Sequence, residues 1–164
     1  MAQAVKPVPE GFHTVTPHLI CRNAERALEF YKNALGAEIL SVTKDEKQKV
    51  MNAQLKIGDS MVMVVDEFPE WHSLSPLSLN GSPVTLHIYT ADADAAFAKA
   101  VAAGAQPTMP MMDAFWGDRY GQVSDPYGHK WSIATHKQNL TQEEIRVAAQ
   151  RAFAAMPKHQ TAGS

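Results

Sequence analysis

Hydrophobic and polar positions follow two different periods along this chain, and they predict strands alternating with helices. Apolar and β-branched residues in "HTVTPHLICR" predict a first strand. In the next segment, "AERALEFYKNALG", apolar residues recur at helical spacing, with Asn23 placed to cap the helix and Gly36 to end it. Three further strands are predicted from alternation, at residues 37–44, 50–57 and 58–66. The first half therefore has the pattern βαβββ.

The second half repeats this order. "PVTLHIYT" predicts a strand, Asp92 is placed to cap the following helix, and Gly104 to end it. Three strands are then predicted at residues 105–113, 118–125 and 128–136, the first of them weakened by prolines. His18 and His87 occupy corresponding strands 69 positions apart (18 + 69 = 87), so one supersecondary unit is predicted to have been duplicated.

These patterns divide the chain into an arm, one domain and a C-terminal appendage. The predicted divisions are an N-terminal arm (1–12), a single domain (13–136) made of module one (13–67), a linker (68–82) and module two (83–136), and a helix with a tail (137–164). Thr141 and Glu144 have the spacing of a capping box at the start of that last helix.

Composition narrows the class of protein. The chain has 164 residues, 45% hydrophobic and 20% charged, which is typical of one soluble globular domain. A net charge of −2 gives no electrostatic basis for binding nucleic acid or an anionic membrane, and no apolar run is long enough to span a bilayer. Cys21 is the only cysteine, so no internal disulfide is expected. The N-terminus lacks the layout of a signal peptide, and we expect a cytoplasmic protein.

Several segments resemble the vicinal oxygen chelate superfamily, which includes glyoxalase I, bleomycin-resistance proteins and extradiol dioxygenases. They are "RNAERALEFYKNALGAEIL", "GDSMVMVVDE", "ADADAAFAKAVAAGA" and, above all, "FWGDRYGQVSDPYGHKWSIATH". The last segment is similar to the PhnB-like branch. The resemblance implies an α+β fold in which two βαβββ modules form an open, cupped eight-stranded mixed sheet, with the ligand held on its concave face and a C-terminal helix appended.

Metal enzymes of this superfamily place His and Glu ligands on the first and last strands of each module. By resemblance, these positions fall at Thr16, at Val62 or Met63, at Thr85 and at Ser132. Such side chains do not form a tight site for zinc, nickel or iron, so we expect no metal ligand and no cofactor here.

His18 and His87 keep other interpretations open. Alternation places them on the same strand faces as Thr16 and Thr85, so both imidazoles should point into the cup. They can be cavity-lining residues, can bind substrate or transfer a proton, or can ligate a metal at a shifted site.

The same alternation sorts the remaining strand residues by face. Trp131, Ile133 and Val123 should pack beneath the helices, as should Met51, Ala53, Leu55 and Ile57. Trp116, before Gly117, could cover the mouth of the cup, and Arg119 is expected in an ion pair with Asp118, Asp125 or Asp66. The predicted ligand-binding residues are Thr16, His18, Asn52, Gln54, Met63, Thr85, His87, Trp116, Tyr120, Gln122 and Ser132.

Two classes of function are consistent with this lining. The first is a protein that binds a small polar ligand without the standard metal site. The second is a lyase, isomerase or dioxygenase-like enzyme that acts on a vicinal-oxygen substrate, with His18 or His87 as base or shifted ligand. A partly water-filled groove without a specific ligand is the remaining alternative, and no catalytic residue is assigned. The repeated sheets, the methionines at 109, 111 and 112 and the last helix predict a homodimer.

Overall fold

The chain folds as two βαβββ modules followed by a helix, as its hydrophobic pattern predicts. The computed structural model describes residues 5–156. Module one contains β1 (His18–Cys21), α1 (Ala24–Leu35), β2 (Glu38–Lys44), β3 (Val50–Ile57) and β4 (Ser60–Asp66). Module two contains β5 (Thr85–Tyr89), α3 (Ala93–Ala102), β6 (Gln106–Asp113), β7 (Asp118–Ser124) and β8 (Lys130–His136). The linker carries a 3-10 turn (Pro69–Trp71) and a short helix, α2 (Pro76–Leu79), and α4 (Gln142–Ala155) ends the described chain.

The eight strands form two four-stranded sheets with the same topology. Their orders are β1-β4-β3-β2 and β5-β8-β7-β6. β1 runs parallel to β4 and β5 runs parallel to β8, while the other neighbouring strands are antiparallel. The α+β class and the duplicated module are thereby confirmed. β1 and β5 are edge strands that do not pair with each other, so the strands divide into two sheets where the resemblance implied one.

One face of each sheet is covered by helices. Leu19, Leu55 and Val64 of the first sheet and Val123 and Ile133 of the second belong to one buried core. Trp131 joins this core, and α1 packs against α3. Since burial of apolar side chains is the main favourable term in folding, this layer holds the two modules together. The opposite face of each sheet, which carries the alternate residues, is called the open face below.

The helix ends use the predicted caps. The Asn23 side chain accepts a hydrogen bond from the Arg26 amide, and Gly36 adopts the left-handed conformation that ends α1. The Asp92 side chain accepts a hydrogen bond from the Ala95 amide at the start of α3. The predicted capping box between Thr141 and Glu144 is present in α4.

One core assignment was wrong. Met51 is exposed, whereas Ala53 and Leu55 of the same strand are fully buried. Thr43 pairs with Asn52 and Lys44 with Val50, so Met51 lies at a bulge and has no partner on β2. A bulge adds one residue to a strand and shifts the alternation of faces, which is why simple counting placed Met51 in the core.

Buried polar contacts cross from module one to module two. The Tyr31 hydroxyl of module one donates a hydrogen bond to Asp125 Oδ2 of module two over 2.8 Å, and Trp131 Nε1, within module two, donates to the same oxygen over 2.9 Å. His129 Nε2 lies 3.1 Å from the Ile20 carbonyl oxygen on β1. Nearby, burial raises the pKa of the fully buried Cys21 thiol to about 12. These contacts make the region around Asp125 a polar junction inside the core.

Within residues 5–156, each helix is too short or too polar to cross a lipid bilayer.

Candidate functional site

Equivalent rows of side chains cross the open faces of the two sheets. In the first sheet His18 pairs with Met63, and Met63 pairs in turn with Gln54. In the second sheet His87 pairs with Ser132, and Ser132 pairs in turn with Gln122. Residues directly opposite each other on neighbouring strands point to the same face. The strands therefore bring six of the predicted ligand-binding residues into two matching rows.

The row in module two is tied together by a hydrogen bond. His87 Nδ1 lies 2.7 Å from Ser132 Oγ, and Ser132 is only 2% exposed. This contact fixes the orientation of the imidazole. Among the described residues, Nε2 of the same ring makes no hydrogen bond to protein.

Trp116 and Tyr120 extend this row towards the rim of the sheet. The Tyr120 ring is nearly parallel to that of His87, with ring centroids 5.9 Å apart and planes inclined by 19°. Trp116 meets Tyr120 edge to face at 5.1 Å. The amide of Gln122 donates a hydrogen bond to the Tyr120 hydroxyl. Five predicted residues of module two thus form one contiguous cluster: His87, Trp116, Tyr120, Gln122 and Ser132.

Asp118 lies beneath this rim and was not among the predicted site residues. Its carboxylate accepts hydrogen bonds from Trp116 Nε1 over 2.9 Å and from the Tyr89 hydroxyl over 3.0 Å, both at Oδ2. Its Oδ1 lies 2.8 Å from His136 Nδ1. A carboxylate that is only 3% exposed needs such partners, because an unpaired buried charge is costly.

These contacts shift the pKa values of both members of the pair. Burial alone raises the pKa of Asp118, but the hydrogen bonds from His136, Tyr89 and Trp116 outweigh burial and lower it overall. The pKa of His136 is raised, first by its hydrogen bond to Asn139 and second by the one to Asp118. Both shifts favour the charged forms of the two side chains.

A large cavity lies in the gap between the two modules, where the approach to β1 and the turn between β3 and β4 line one side and β5 lines the other. Its volume is about 710 Å³, and it extends from the open face between the sheets to residues at the end of α1. Its lining is partly polar and partly apolar: His13, Val15, Thr16, Pro17, Leu35, Ile57, Gly58, Asp59, Ser60, Met61, Val62, Leu86, His87, Ile88, Tyr89, Thr90 and Trp131. Cavities of this volume and mixed character hold small organic ligands in many proteins.

A smaller groove of about 400 Å³ occupies the other end of the same gap. His18 and Ile20 of β1 line one side, and Leu79 and Val84 from the linker and the approach to β5 line the other. This groove is predominantly apolar. His18 therefore faces a different space from the large cavity that His87 lines.

The predicted site residues thus separate into groups. Thr16 and His87 line the large cavity, and His18 lines the groove. Asn52, Gln54 and Met63 lie on β3 and β4, outside the lining of both spaces, and so does Thr85 of β5. Alternation could not reveal the lining residues His13, Leu35 and Asp59, because they come from the approach to β1, a helix end and a turn.

Arg119 forms ion pairs, as expected, but with other partners. Its guanidinium donates to both carboxylate oxygens of Asp94 over 2.9 Å and lies 3.5 Å from Asp113. Asp94 is in the first turn of α3, a neighbour that only the packing of α3 on β7 supplies. The predicted partners Asp118, Asp125 and Asp66 were wrong.

Comparison with known families identifies the fold. The profile of the glyoxalase/bleomycin resistance protein/dioxygenase superfamily matches residues 11–133. The chain belongs to this superfamily. The match covers both modules and ends within β8, so the duplicated unit seen in the sheets is the superfamily's own.

Individual superfamily members are similar over most of the chain. An uncharacterised protein of Mycobacterium tuberculosis is 38% identical over 137 residues, covering 82% of this chain and 81% of its own length. The crystal structure of an Arabidopsis thaliana gene product, 31% identical, has a TM-score of 0.61 and covers 75% of this chain and 98% of its own. A PhnB protein from Bacillus cereus shares the fold at 20% identity, with a TM-score of 0.58 over 75% of this chain and 99% of its own. The predicted resemblance is confirmed.

The superfamily's metal positions can now be compared with the strand register. Because Met63 pairs with His18 as Ser132 pairs with His87, Met63 is the structural equivalent of Ser132. The four positions are therefore occupied by Thr16, Met63, Thr85 and Ser132. None supplies an imidazole or a carboxylate, and the Ser132 hydroxyl already bonds His87. This donor set does not fit a divalent metal held by His and Glu.

A shifted site would need other ligands close together. Within residues 5–156, no three or more His, Cys, Asp or Glu side chains converge in a way that could hold a metal ion. His18 and His87 face separate spaces, and although Asp59 also lines the cavity of His87, the two do not belong to a group of three or more such ligands among the described residues.

Proposed function

We propose that the chain binds a small polar organic ligand in the large cavity between its modules, without the superfamily's standard metal site. The observation that carries this proposal is the cavity of about 710 Å³ between β5 and the residues of module one that lead into β1 and join β3 to β4. Its lining includes His87, Thr16 and Asp59, which offer hydrogen bonds, next to apolar side chains such as Leu35 and Ile57. A concave space that combines apolar side chains with hydrogen-bonding groups is typical of ligand sites.

The donor set at the superfamily's ligand positions supports the metal-independent part of the proposal. Elemental analysis of protein purified without an affinity tag should find no stoichiometric zinc, nickel, iron or manganese. Divalent ions should raise the melting temperature of the natural protein no more than that of the double variant His18→Ala, His87→Ala. Stoichiometric metal that is lost in the double variant would overturn this part.

Blocking the cavity tests the binding part. Ser60 is an exposed residue of the lining, so Ser60→Trp should fill the mouth with little cost to folding. Compounds that raise the melting temperature of the natural protein in a metabolite and antibiotic screen should lose that effect in Ser60→Trp. Thr108→Trp, at an exposed strand position outside both lined spaces, is the matched control and should keep it. Equal shifts in both variants would place binding elsewhere.

A second candidate is an enzyme that moves a proton at His87. The specific observation is the 2.7 Å contact from Nδ1 to Ser132, which orients the ring and leaves Nε2 for the cavity. A base placed in this way could abstract a proton next to the carbonyl of a vicinal-oxygen substrate, as a lyase or isomerase does. Hydroxyacetone in heavy water should then exchange its carbon-bound protons faster with the natural protein than with His87→Gln. Equal rates would exclude this candidate for that class of compound.

We also propose a homodimer. No residue of α4 is fully buried, and Phe153 on this helix is 61% exposed although its ring contacts that of Phe115. Exposed apolar surface of this kind is typical of an interface. Light scattering at micromolar concentration should give twice the mass of the chain, and a monomer mass would contradict the proposal. The cytoplasmic location and the lack of a nucleic-acid partner remain predictions from the sequence.

A further inference from the structure

Five aromatic rings form a continuous surface on module two, next to the large cavity. This aromatic wall consists of His87, Tyr89, Phe115, Trp116 and Tyr120. His87 meets Tyr89 edge to face at 4.5 Å, and Phe115 meets Trp116 in the same way at 5.0 Å. The His87–Tyr120 and Tyr120–Trp116 contacts complete the series. Tyr89 is nevertheless 63% exposed, so the wall offers aromatic surface that the chain itself does not cover.

Most polar atoms of the wall are already paired, and His87 Nε2 is the exception. Trp116 Nε1 and the Tyr89 hydroxyl both donate to Asp118 Oδ2, and the Tyr120 hydroxyl accepts from Gln122. These bonds hold the rings in place before any ligand arrives, which lowers the ordering cost of binding. Apart from His87 Nε2, what remains for a ligand is ring surface, and aromatic rings attract other rings by offset or edge-to-face packing.

The wall and the cavity share two residues. His87 and Tyr89 belong to the wall and also line the cavity, so a ligand in the cavity meets aromatic surface on the module-two side. On the module-one side the lining supplies His13, Thr16 and Asp59, whose side chains are able to form hydrogen bonds with a ligand. The two sides therefore differ in chemistry: one suits a ring and the other suits polar substituents.

We propose that the natural ligand carries a planar aromatic or heteroaromatic ring that packs on the aromatic wall while its polar substituents reach into the cavity. This inference rests on the proposed binding function and names the chemical class of the ligand. The negative charge of Asp118 does not select a cation in its place, because its carboxylate is buried and already accepts bonds from Trp116, Tyr89 and His136.

The test uses 5-fluorotryptophan and a matched pair of probes. The chain has three tryptophans, so fluorine NMR gives three resonances, assigned with Trp71→Phe and Trp116→Phe. 2-Naphthamide should shift the Trp116 resonance and bind about three- to tenfold more tightly than decahydronaphthalene-2-carboxamide, which has the same carbon skeleton without aromaticity. Equal affinities of the two probes would overturn the inference.

Variants of Trp116 distinguish the loss of aromatic stacking on the ligand from the loss of side-chain volume. Trp116→Leu should weaken naphthamide about three- to tenfold and leave the saturated probe unchanged, whereas Trp116→Phe should keep the preference. Trp71→Leu, at an exposed tryptophan of the linker that lines neither space, should change neither affinity. Unchanged resonances of the other tryptophans show that each variant is folded.

The remaining outcomes distinguish this inference from the proposed function. If both probes bind equally and Ser60→Trp blocks both, the cavity binds ligands but the aromatic class is wrong. If naphthamide does not bind at all, the aromatic class is also wrong, and the metabolite screen still judges the binding function by itself. Tighter binding of tetramethylammonium than of naphthamide at Trp116 would make the wall a cation site instead. A Trp116 resonance that moves on dilution without ligand would make it a subunit interface.

Discussion

At the scale of single residues, Asp118 organises the rim of module two. It brings an indole, a phenol and an imidazole to one buried carboxylate, although the sequence offered only an acidic residue between a turn and a strand. Its partner His136 is exposed at the end of β8. The His136 side chain is therefore accessible to protons from the solvent, whereas its partner Asp118 is buried.

This pair should make stability depend on pH. The lowered pKa of Asp118 means that its contribution is present above its ordinary value of about 4 and is lost as the pH falls through the folded value. The raised pKa of His136 means that its contribution is present below its ordinary value of about 6.5 and is lost as the pH rises through the folded value. Urea unfolding should therefore show His136→Gln losing more stability, relative to the natural protein, at pH 5.5 than at pH 9.

Exposed His72 in the linker provides the matched control for this measurement. The free energy of unfolding of His72→Gln should equal that of the natural protein at both pH values. If the free energies of unfolding of His136→Gln and the natural protein differed by the same amount at both pH values, the pair would not act through its charges.

Residue positions could be predicted from the sequence where a strand is regular. Alternation placed His18, Gln54, His87 and Gln122 on the open face because β1, β3, β5 and β7 keep their period around those residues. It failed at Met51, where a bulge adds a residue. It also could not find Asp94 as the partner of Arg119, since that contact depends on how α3 packs on β7.

At the scale of elements, α3 and α4 begin with the same chemistry but differ in what they contact. Each has an N-cap side chain that accepts a hydrogen bond from the backbone amide of the third residue of the helix. α3 packs against α1, β6, β7 and β8, whereas α4 has no buried residue. Loss of a cap should therefore have different consequences in the two helices.

We predict that Asp92→Ala lowers the free energy of unfolding of the whole domain by about 1 kcal/mol. Thr141→Ala removes a cap of similar strength, but it should mainly speed hydrogen exchange in residues 142–148 and leave the global unfolding midpoint nearly unchanged. Hydrogen exchange and urea unfolding measured on both variants test this difference. A global loss in Thr141→Ala equal to that in Asp92→Ala would mean that α4 is part of the cooperative unit.

Elements with long, regular patterns were predicted well and short ones were not. α1 and α4 have caps and several turns of apolar spacing, and both were found. α2, of four residues, lies in a linker where proline and serine suggested only a loop, although Ser75 caps it. A single helical turn is too short to show a period of 3.6 residues.

At the scale of the whole molecule, side chains rather than a shared sheet join the two modules. β1 and β5 do not pair, so the connection depends on the packing of α1 against α3 and on the polar junction at Asp125. Tyr31 brings its fully buried hydroxyl from α1 to that carboxylate. Its pKa is raised by burial and by the nearby charge of Asp125, so it is the neutral phenol that donates.

We expect Tyr31→Phe to lower the free energy of unfolding by about 1.5–3 kcal/mol, because a buried carboxylate loses one of its donors. Urea unfolding monitored by circular dichroism measures the change. Tyr127→Phe is the matched control: this ring packs against Phe30 and Tyr31, but its hydroxyl makes no side-chain hydrogen bond among the described residues. Equal losses in the two variants would show that the bond to Asp125 contributes little.

The large cavity is the part of the site that the sequence could not reveal. Strand faces were predictable, but the cavity lies between two sheets, and its walls include Leu35 at the end of α1 and His13 in the approach to β1. The position of one module relative to the other decides this lining, and that position depends on contacts far apart in the chain, such as the one between Tyr31 and Asp125.

The chemistry of Cys21 has a practical consequence. It is the chain's only cysteine, it is fully buried, and burial raises the pKa of its thiol to about 12, so almost no thiolate forms near neutral pH. Maleimide reagents attack through the thiolate and should leave it unmodified. A cysteine introduced at exposed Asp59 or at exposed Lys130 could therefore be labelled alone, without first removing the native thiol. Labelling both would give a spectroscopic ruler between the two modules.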